Sequence, residues 1–270
     1  MTEIITSSQN RWVKQALSLH QRKYRDEFSL FLVEGVRLAE EAIRSEWDIQ
    51  AILYSSTGQG KGRILALLEL GNIRNIPLVE IESSIYNKIA ETENPQGITC
   101  IIKKKSFQLE QVKLSAKMPL FLVAESVQEP GNIGTLLRTA DAAGCSAVFF
   151  TKGCADIFSG KAVRASMGSL FHLPIIAGIE AVTLINWLKK QNIRIIATSL
   201  ASRNIYYETA LNCPAAVIFG NEGNGIQAEV LQAADELIYI PIYGQAESLN
   251  VAASASIILF EAMRQRHAVL

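Results

Sequence analysis

Apolar runs alternate twice with stretches of helical spacing along this chain. In the first part, FSLFLVEG (28–35), IQAILYSS (49–56), IPLVEI (76–81) and GITCIIK (97–103) have strand length, and the segments between them repeat apolar residues every three or four positions. In VRLAEEAIRSE (36–46), Val36, Ala39 and Ile43 share one helical face and the charges take the other. A small α/β domain is expected. Farther on, LFLVAE (120–125), AVFF (147–150), RIIAT (194–198), AAVIFG (215–220) and ELIYIPI (236–242) are continuously apolar. They lack the alternation of a half-exposed strand, which predicts strands covered on both faces in a parallel sheet flanked by helices. Between the two parts, KKKSFQLEQVKLSAK (103–117) is lysine-rich and aperiodic, as a linker would be. The expected organisation is a domain over 1–105, a linker over 106–117 and a second domain over 118–270.

With 270 residues, 49% of them hydrophobic, the chain can form two modest cores. Acidic and basic residues balance at 26 each, so net charge does not point to nucleic acid. Their distribution says more: Arg11, Lys14, Arg22, Lys23 and Arg25 face the single acid Glu3 in the first 25 residues, a local basic arm. Cys100, Cys145, Cys154 and Cys213 form no C-x-x-C pair, and His20, His172 and His267 have no metal-ligand spacing. Neither a disulfide framework nor a metal site is expected, and a reducing cytoplasm fits. No run approaches the roughly 18 apolar residues of a membrane span, so the expectation is a soluble intracellular protein.

Ligands of open parallel sheets bind at the carboxyl ends of strands. Three loops there stand out. In AESVQEPGNIGTLLRTADAAG (124–144), Asn132 occupies the expected N-cap of a helix, Ile133, Leu136, Leu137 and Ala140 form its apolar stripe, and Gly144 ends it. Arg138 lies off the stripe beside Thr135, where a merely solvated arginine is the plain alternative. FGNEGNG (219–225) spaces its glycines G-x-x-G-x-G, which is not a dinucleotide fingerprint. GQGKGR (58–63) lacks the Ser or Thr and the upstream glycine of a P-loop, and Glu222 would repel a phosphate. In YIPIYGQAESLN (239–250), Ser248 and Asn250 flank Leu249, with Ser248 as helix N-cap the simpler reading. The helix-like run that follows opens with Ala, Ser and a few aliphatics, suited to close approach by other backbone.

Together, GNIGTLLRTADAAG, VIFGNEGNGI and YIPIYGQAESLNVAASASI resemble the three signature motifs of the SpoU/TrmH family of S-adenosylmethionine-dependent RNA 2′-O-ribose methyltransferases, part of the SPOUT superfamily. The resemblance covers about residues 118–265. The N-terminal part is similar to that family's substrate-binding domain, an α/β unit like RNA-binding ribosomal proteins, through the Asn10–Arg25 arm, FLVEGVRLAEEA and NPQGI (94–98).

This resemblance implies a deep trefoil knot in the C-terminal domain, with the small residues Ala252 to Ser256 accommodating it. S-adenosylmethionine would be held mainly by backbone at Gly220, Ile240 and Leu249, with Thr198, Leu200 and Ile242 as neighbours. Arg138 matches the catalytic arginine. A guanidinium with a pKa above about 12 is a poor base, so the preferred role is to bind substrate phosphate and stabilise the developing alkoxide. Asn132 and Glu222 would organise Arg138 and the pocket, Ser248 and Asn250 would contact substrate near the ribose, and Arg164 would meet RNA phosphate. A homodimer through the C-terminal domain is implied, with Arg138 serving the partner's site. The favoured substrate is 23S ribosomal RNA, with tRNA the alternative. A non-catalytic RNA-binding protein and a different nucleotide-dependent α/β enzyme are the competing classes.

Overall fold

The computed structural model describes residues 4–55, 61–112, 114 and 118–267. The chain forms two compact units, Met1–Lys105 with Phe158–Phe171, and Ser106–Ile157 with His172–Leu270.

In the first unit α1 (Arg11–Ser18) and α2 (Arg22–Phe28) precede β1 (Leu30–Glu34), α3 (Val36–Arg44), β2 (Ile49–Tyr54), α4 (Lys61–Ile73), β3 (Leu78–Glu80), α5 (Ser83–Ile89) and β4 (Ile98–Lys103). The sheet runs β1-β4-β2-β3. β4 is antiparallel to both neighbours, and β2 and β3 are parallel. Val36, Ala39 and Ile43 of α3 are buried, the face that the apolar spacing predicts. Asn10 caps α1 by accepting the Trp12 N–H at 2.9 Å.

The basic arm is α1 and α2. Arg11, Lys14, Arg22 and Lys23 are exposed, as an RNA-facing role requires. Arg25 departs from the expectation. It is 5% exposed, and its guanidinium donates to the carbonyls of Leu19 and His20, each at 2.7 Å. Carbonyls at the end of α1 have no helical partner, and Arg25 satisfies them instead of meeting a phosphate.

Residues 158–171, expected within the second domain, pack in the first unit. Their helix α7 (Gly160–Ser166) lies between two aromatic anchors: the Phe158 ring is 4.8 Å from Phe31, and Phe171 meets Trp47 edge-on at 5.3 Å. Arg164 belongs to this segment and pairs with Glu91 at 2.8 Å. That ion pair, not an open cation, is what the structure places where a phosphate contact was expected.

The second unit contains β5 (Leu120–Ala124), α6 (Pro130–Ala142), β6 (Ala147–Thr151), β7 (Ile175–Ile179), α8 (Ala181–Lys190), β8 (Arg194–Thr198), β9 (Ala215–Phe219), α9 (Ala228–Ala233), β10 (Glu236–Ile238) and α10 (Val251–His267). Among the described residues its sheet has six strands in the order β10-β8-β9-β5-β6-β7, every pairing parallel. Every residue of β5, β6 and β9 is buried, which is why those runs are apolar without alternation. β7 has no counterpart among the predicted strands: it is an edge strand, half exposed, with Gly178 at φ 74° breaking the pattern. ELIYIPI joins the sheet only over Glu236–Ile238, and Tyr239 adds one isolated parallel bridge to Ile205. Its Pro241 has no N–H to give a ladder, and the remainder runs on as irregular chain.

The expected linker is only partly a tether. Val112 is 7% exposed and joins the second unit's core, with Phe107 and Leu109 packed against it. Lys113 and residues 115–117 lie outside the described residues. On α10, Ala252, Ala255 and Ala262 are buried, and the hydroxyls of Ser256 and Thr139 of α6 meet at 3.1 Å. Small side chains thus bring α10 close to α6. The four cysteines are free; burial pushes the Cys100 and Cys145 thiols up to about 12 and keeps them unreactive at neutral pH. No helix of the described residues is long and apolar enough to cross a membrane.

Candidate active site

The loops that follow β8, β9 and β10 line one cleft of about 810 Å³. Thr198, Leu200, Gly220, Ile240, Ile242 and Leu249 all lie on its wall, and Glu222, Ser248 and Asn250 join them. Its surface combines aliphatic side chains with the main chain of a glycine-rich turn, which suits a flat heterocycle and a few backbone hydrogen bonds.

Asn221 builds the turn. Its backbone exchanges hydrogen bonds with Gly225, both at 3.0 Å, and its side-chain oxygen accepts the N–H groups of Gly223 and Asn224, each at 2.9 Å. The same amide donates to the Ser126 carbonyl at 2.8 Å, tying the turn to the end of β5. Gly220 is required by crowding. A Cβ there would stand 2.5 Å from the Gly225 carbonyl carbon and 2.6 Å from the Ile226 nitrogen. Asn221 is a residue that sequence reading missed; its position in FGNEGNG, ahead of two glycines, is the signal that a side-chain-capped turn leaves.

Helix α6 starts earlier than expected. Its N-cap is Glu129, whose carboxylate accepts the Gly131 N–H at 3.0 Å, and Pro130 takes the first helical position. Proline's fixed φ makes it a favoured first residue, and that outweighs asparagine's capping preference two positions later. Asn132 therefore sits inside the first turn with its amide free for other work. Its nitrogen donates to Glu222 at 2.8 Å, and its oxygen accepts from the Asn250 amide at 2.9 Å. The carboxylate can only accept, which fixes the orientation of both amides. Asn250 in turn accepts the N–H groups of Ala252 at 2.9 Å and Ala253 at 3.3 Å. Asn250 is thus the cap of α10, and Ser248 is not; the Ser248 side chain is exposed at the cleft.

Glu222 also accepts the N–H groups of Gln128 at 3.2 Å and Glu129 at 3.3 Å, at the positive end of α6. Burial alone would raise its pKa, but the hydrogen bonds from Asn132 and from backbone N–H groups outweigh burial and hold the carboxyl below its usual range. Arg138 is not part of this network. It projects from α6 away from the buried stripe of Ile133, Leu136, Leu137 and Ala140, and it makes no hydrogen bond or ion pair among the described residues. Within one chain, Asn132 and Glu222 organise Asn250 and not Arg138. Among the described residues no group of His, Cys, Asp and Glu could hold a metal ion.

Glu125, just past β5, is a second feature that sequence reading missed. It is 2% exposed; one carboxyl oxygen accepts the Ser126 hydroxyl at 3.2 Å, and the other has no hydrogen-bond partner among the described residues. Burial raises its pKa above the ordinary value. The unfolded chain therefore releases this proton first, and Glu125 subtracts stability as pH rises from about 4.3 through the raised folded value. Glu125→Gln is expected to melt at the same temperature as the parent or higher at pH near 8, and to lose that advantage near pH 4. A lower melting temperature at pH 8 would mean that the ionised carboxylate is needed.

Comparison with known proteins places this geometry. The model of the SpoU rRNA Methylase family matches residues 119–260, and that of the MRM3-like substrate binding domain matches residues 10–100. The 23S rRNA (guanosine(2553)-2′-O)-methyltransferase RlmP of Bacillus subtilis is 36% identical over 256 residues, covering 95% of this chain and 97% of its own length. The AdoMet-bound rRNA methyltransferase from Sinorhizobium meliloti superposes with a TM-score of 0.88 at 31% identity, over 97% of this chain and 98% of that one. The SpoU methyltransferase AviRb from Streptomyces viridochromogenes, in complex with the cofactor AdoMet, gives 0.87 at 26% identity, over 96% and 99%.

Proposed function

Because the chain belongs to the SpoU rRNA methylase family, we propose that it methylates a ribose 2′-hydroxyl of 23S ribosomal RNA with S-adenosylmethionine as methyl donor. The observation that carries this reading is the cleft, in which all six residues expected to surround the donor lie on one wall system. Gly220 and the turn behind it leave main chain exposed where a side chain would collide, so the residues present fit an adenosyl group. Thr198, Leu200, Gly220, Ile240, Ile242 and Leu249 would hold it. S-adenosylmethionine supplies an electrophilic methyl group on a sulfonium.

The protein's own part is to deliver and activate the acceptor. A ribose hydroxyl is a weak nucleophile at neutral pH; its oxygen must be oriented and its proton must leave as the new bond forms. A guanidinium is a poor proton acceptor, so Arg138 acts by binding a neighbouring phosphate and lowering the energy of negative charge on the 2′-oxygen. Ser248 offers a hydroxyl at the cleft for the ribose. The Glu222–Asn132–Asn250 network fixes the starts of α6 and α10 around that point.

The reading includes a homodimer in which Arg138 serves the partner's cleft. Its support is that Arg138 is exposed and has no ion pair among the described residues, while Ala253, Ile257 and Phe260 leave an apolar stripe along α10, with Phe260 43% exposed. It also includes the trefoil threading implied by the family, a cytoplasmic location, and RNA contact through Arg11, Lys14, Arg22 and Lys23. In the test, the purified protein is incubated with labelled S-adenosylmethionine and ribosomal RNA from cells lacking the gene, and the label is mapped. Ribose methylation at one 23S position is the expected result. Label in tRNA would move the substrate, and bound RNA without transfer would leave a non-catalytic binding protein.

A further inference from the structure

We propose that Tyr243 and Tyr207 form a stacking platform at the rim of the cleft for an unpaired base of the RNA substrate. The inference rests on the cleft being the site of RNA methylation. Tyr239, Ile240 and Ile242 line one side of the cleft, and Tyr243 is the next residue, 92% exposed. A second segment is fastened to the same run. The Tyr239 N–H donates to the Asn204 carbonyl and the Tyr206 N–H donates to the Tyr239 carbonyl, each at 3.0 Å. Ser202 stiffens this segment by donating to the Leu237 carbonyl at 2.6 Å and accepting the Asn204 N–H at 3.1 Å. It carries Tyr206 and Tyr207, whose rings meet edge-on at 5.1 Å. Tyr207 is 45% exposed, and its hydroxyl lies close to that of Tyr243.

Tyr243 and Tyr207 both leave ring surface exposed beside the cleft. The chemistry at this rim selects the occupant. Arg203 is exposed on the same segment, but Glu208 is exposed beside it and Glu247 on the chain after Tyr243, so the rim is not a basic groove for tracking phosphates. A π-face tolerates mixed charge and suits a nucleobase, which is how proteins hold single-stranded or splayed-out RNA. Any ribose that presents its 2′-hydroxyl to the cleft brings its own base and its neighbours' bases to this rim. Because backbone hydrogen bonds hold the Tyr206–Tyr207 segment in place beforehand, little ordering is left for the moment of binding.

The test uses the full chain and unmodified 23S rRNA transcripts. Tyr243→Ala and Tyr207→Ala are each expected to weaken RNA binding by about 10-fold, the effect of losing one stacked base, with the Kd for S-adenosylmethionine unchanged. Tyr243→Trp should restore binding and Tyr243→Leu should not. The factor should be the same at about 50 mM and about 200 mM salt, since stacking releases no counterions. Unchanged RNA affinity in the alanine variants overturns the platform, as does full affinity in Tyr243→Leu, a factor that shrinks with salt, or a change in oligomeric mass that shows a second copy covering the tyrosines. A parent that binds no RNA also overturns it. If the parent binds RNA, the variants lose it and no methyl is transferred, the platform stands and the methyltransferase reading falls.

Discussion

Arg138→Ala should reduce methyl transfer by at least about 10²- to 10³-fold, the cost of removing one group aimed at developing charge, while the protein melts as before and binds S-adenosylmethionine with unchanged affinity. The structure separates these outcomes because Arg138 is exposed and makes no hydrogen bond or ion pair among the described residues, so neither the described fold nor the cleft relies on it. Lysine at this position keeps the charge but loses the planar fork, and should recover little. The in-trans arrangement has its own signature. Mixing Arg138→Ala protomers with protomers whose cleft is disabled should regain activity, because each mixed dimer then has one intact cleft facing one intact arginine. Full activity of Arg138→Ala alone would remove the residue from the mechanism; no gain on mixing would return it to its own subunit.

Gly220→Ala supplies the disabled cleft. Its methyl group would meet the Gly225 carbonyl carbon at 2.5 Å and the Ile226 nitrogen at 2.6 Å, and both are backbone. Relief requires opening the Asn221–Gly225 pair, which is the frame of the turn. Overpacking of this kind costs about 1–3 kcal/mol, so donor affinity should fall by up to about 100-fold. Gly223→Ala is the internal control: its methyl group would find nothing nearer than the Asn221 side-chain oxygen at 3.6 Å, an ordinary contact. Calorimetric titration with S-adenosylmethionine checks both. Equal affinity in the two variants would mean that the donor does not depend on this main-chain cradle.

Much of this was legible beforehand because it depends on burial pattern. Continuous apolar runs located β5, β6, β8 and β9, and the motifs located the loops that line the cleft. What escaped depends on competition between neighbours in sequence or on distant partners. Asn132 reads as an N-cap until Pro130 is weighed against it, and Ser248 reads as one until Asn250 is seen to bond two N–H groups of α10. The packing of 158–171 against Phe31 and Trp47 is a meeting of distant aromatics that no local period encodes. Arg25 counts as a surface cation in any tally of charge, and only the fold reveals two carbonyls waiting for it. Glu125 escaped because a single acid after a strand carries no pattern.

The amide of Asn132 ties together three segments that lie far apart in the chain, accepting from one and donating to another. An aspartate there would set carboxylate against carboxylate, and an alanine would leave Glu222 and Asn250 each short of a bond. For lineages descending from this protein, positions 132, 222 and 250 therefore form one heritable unit. A library randomised at any single one of them is expected to return the parental residue.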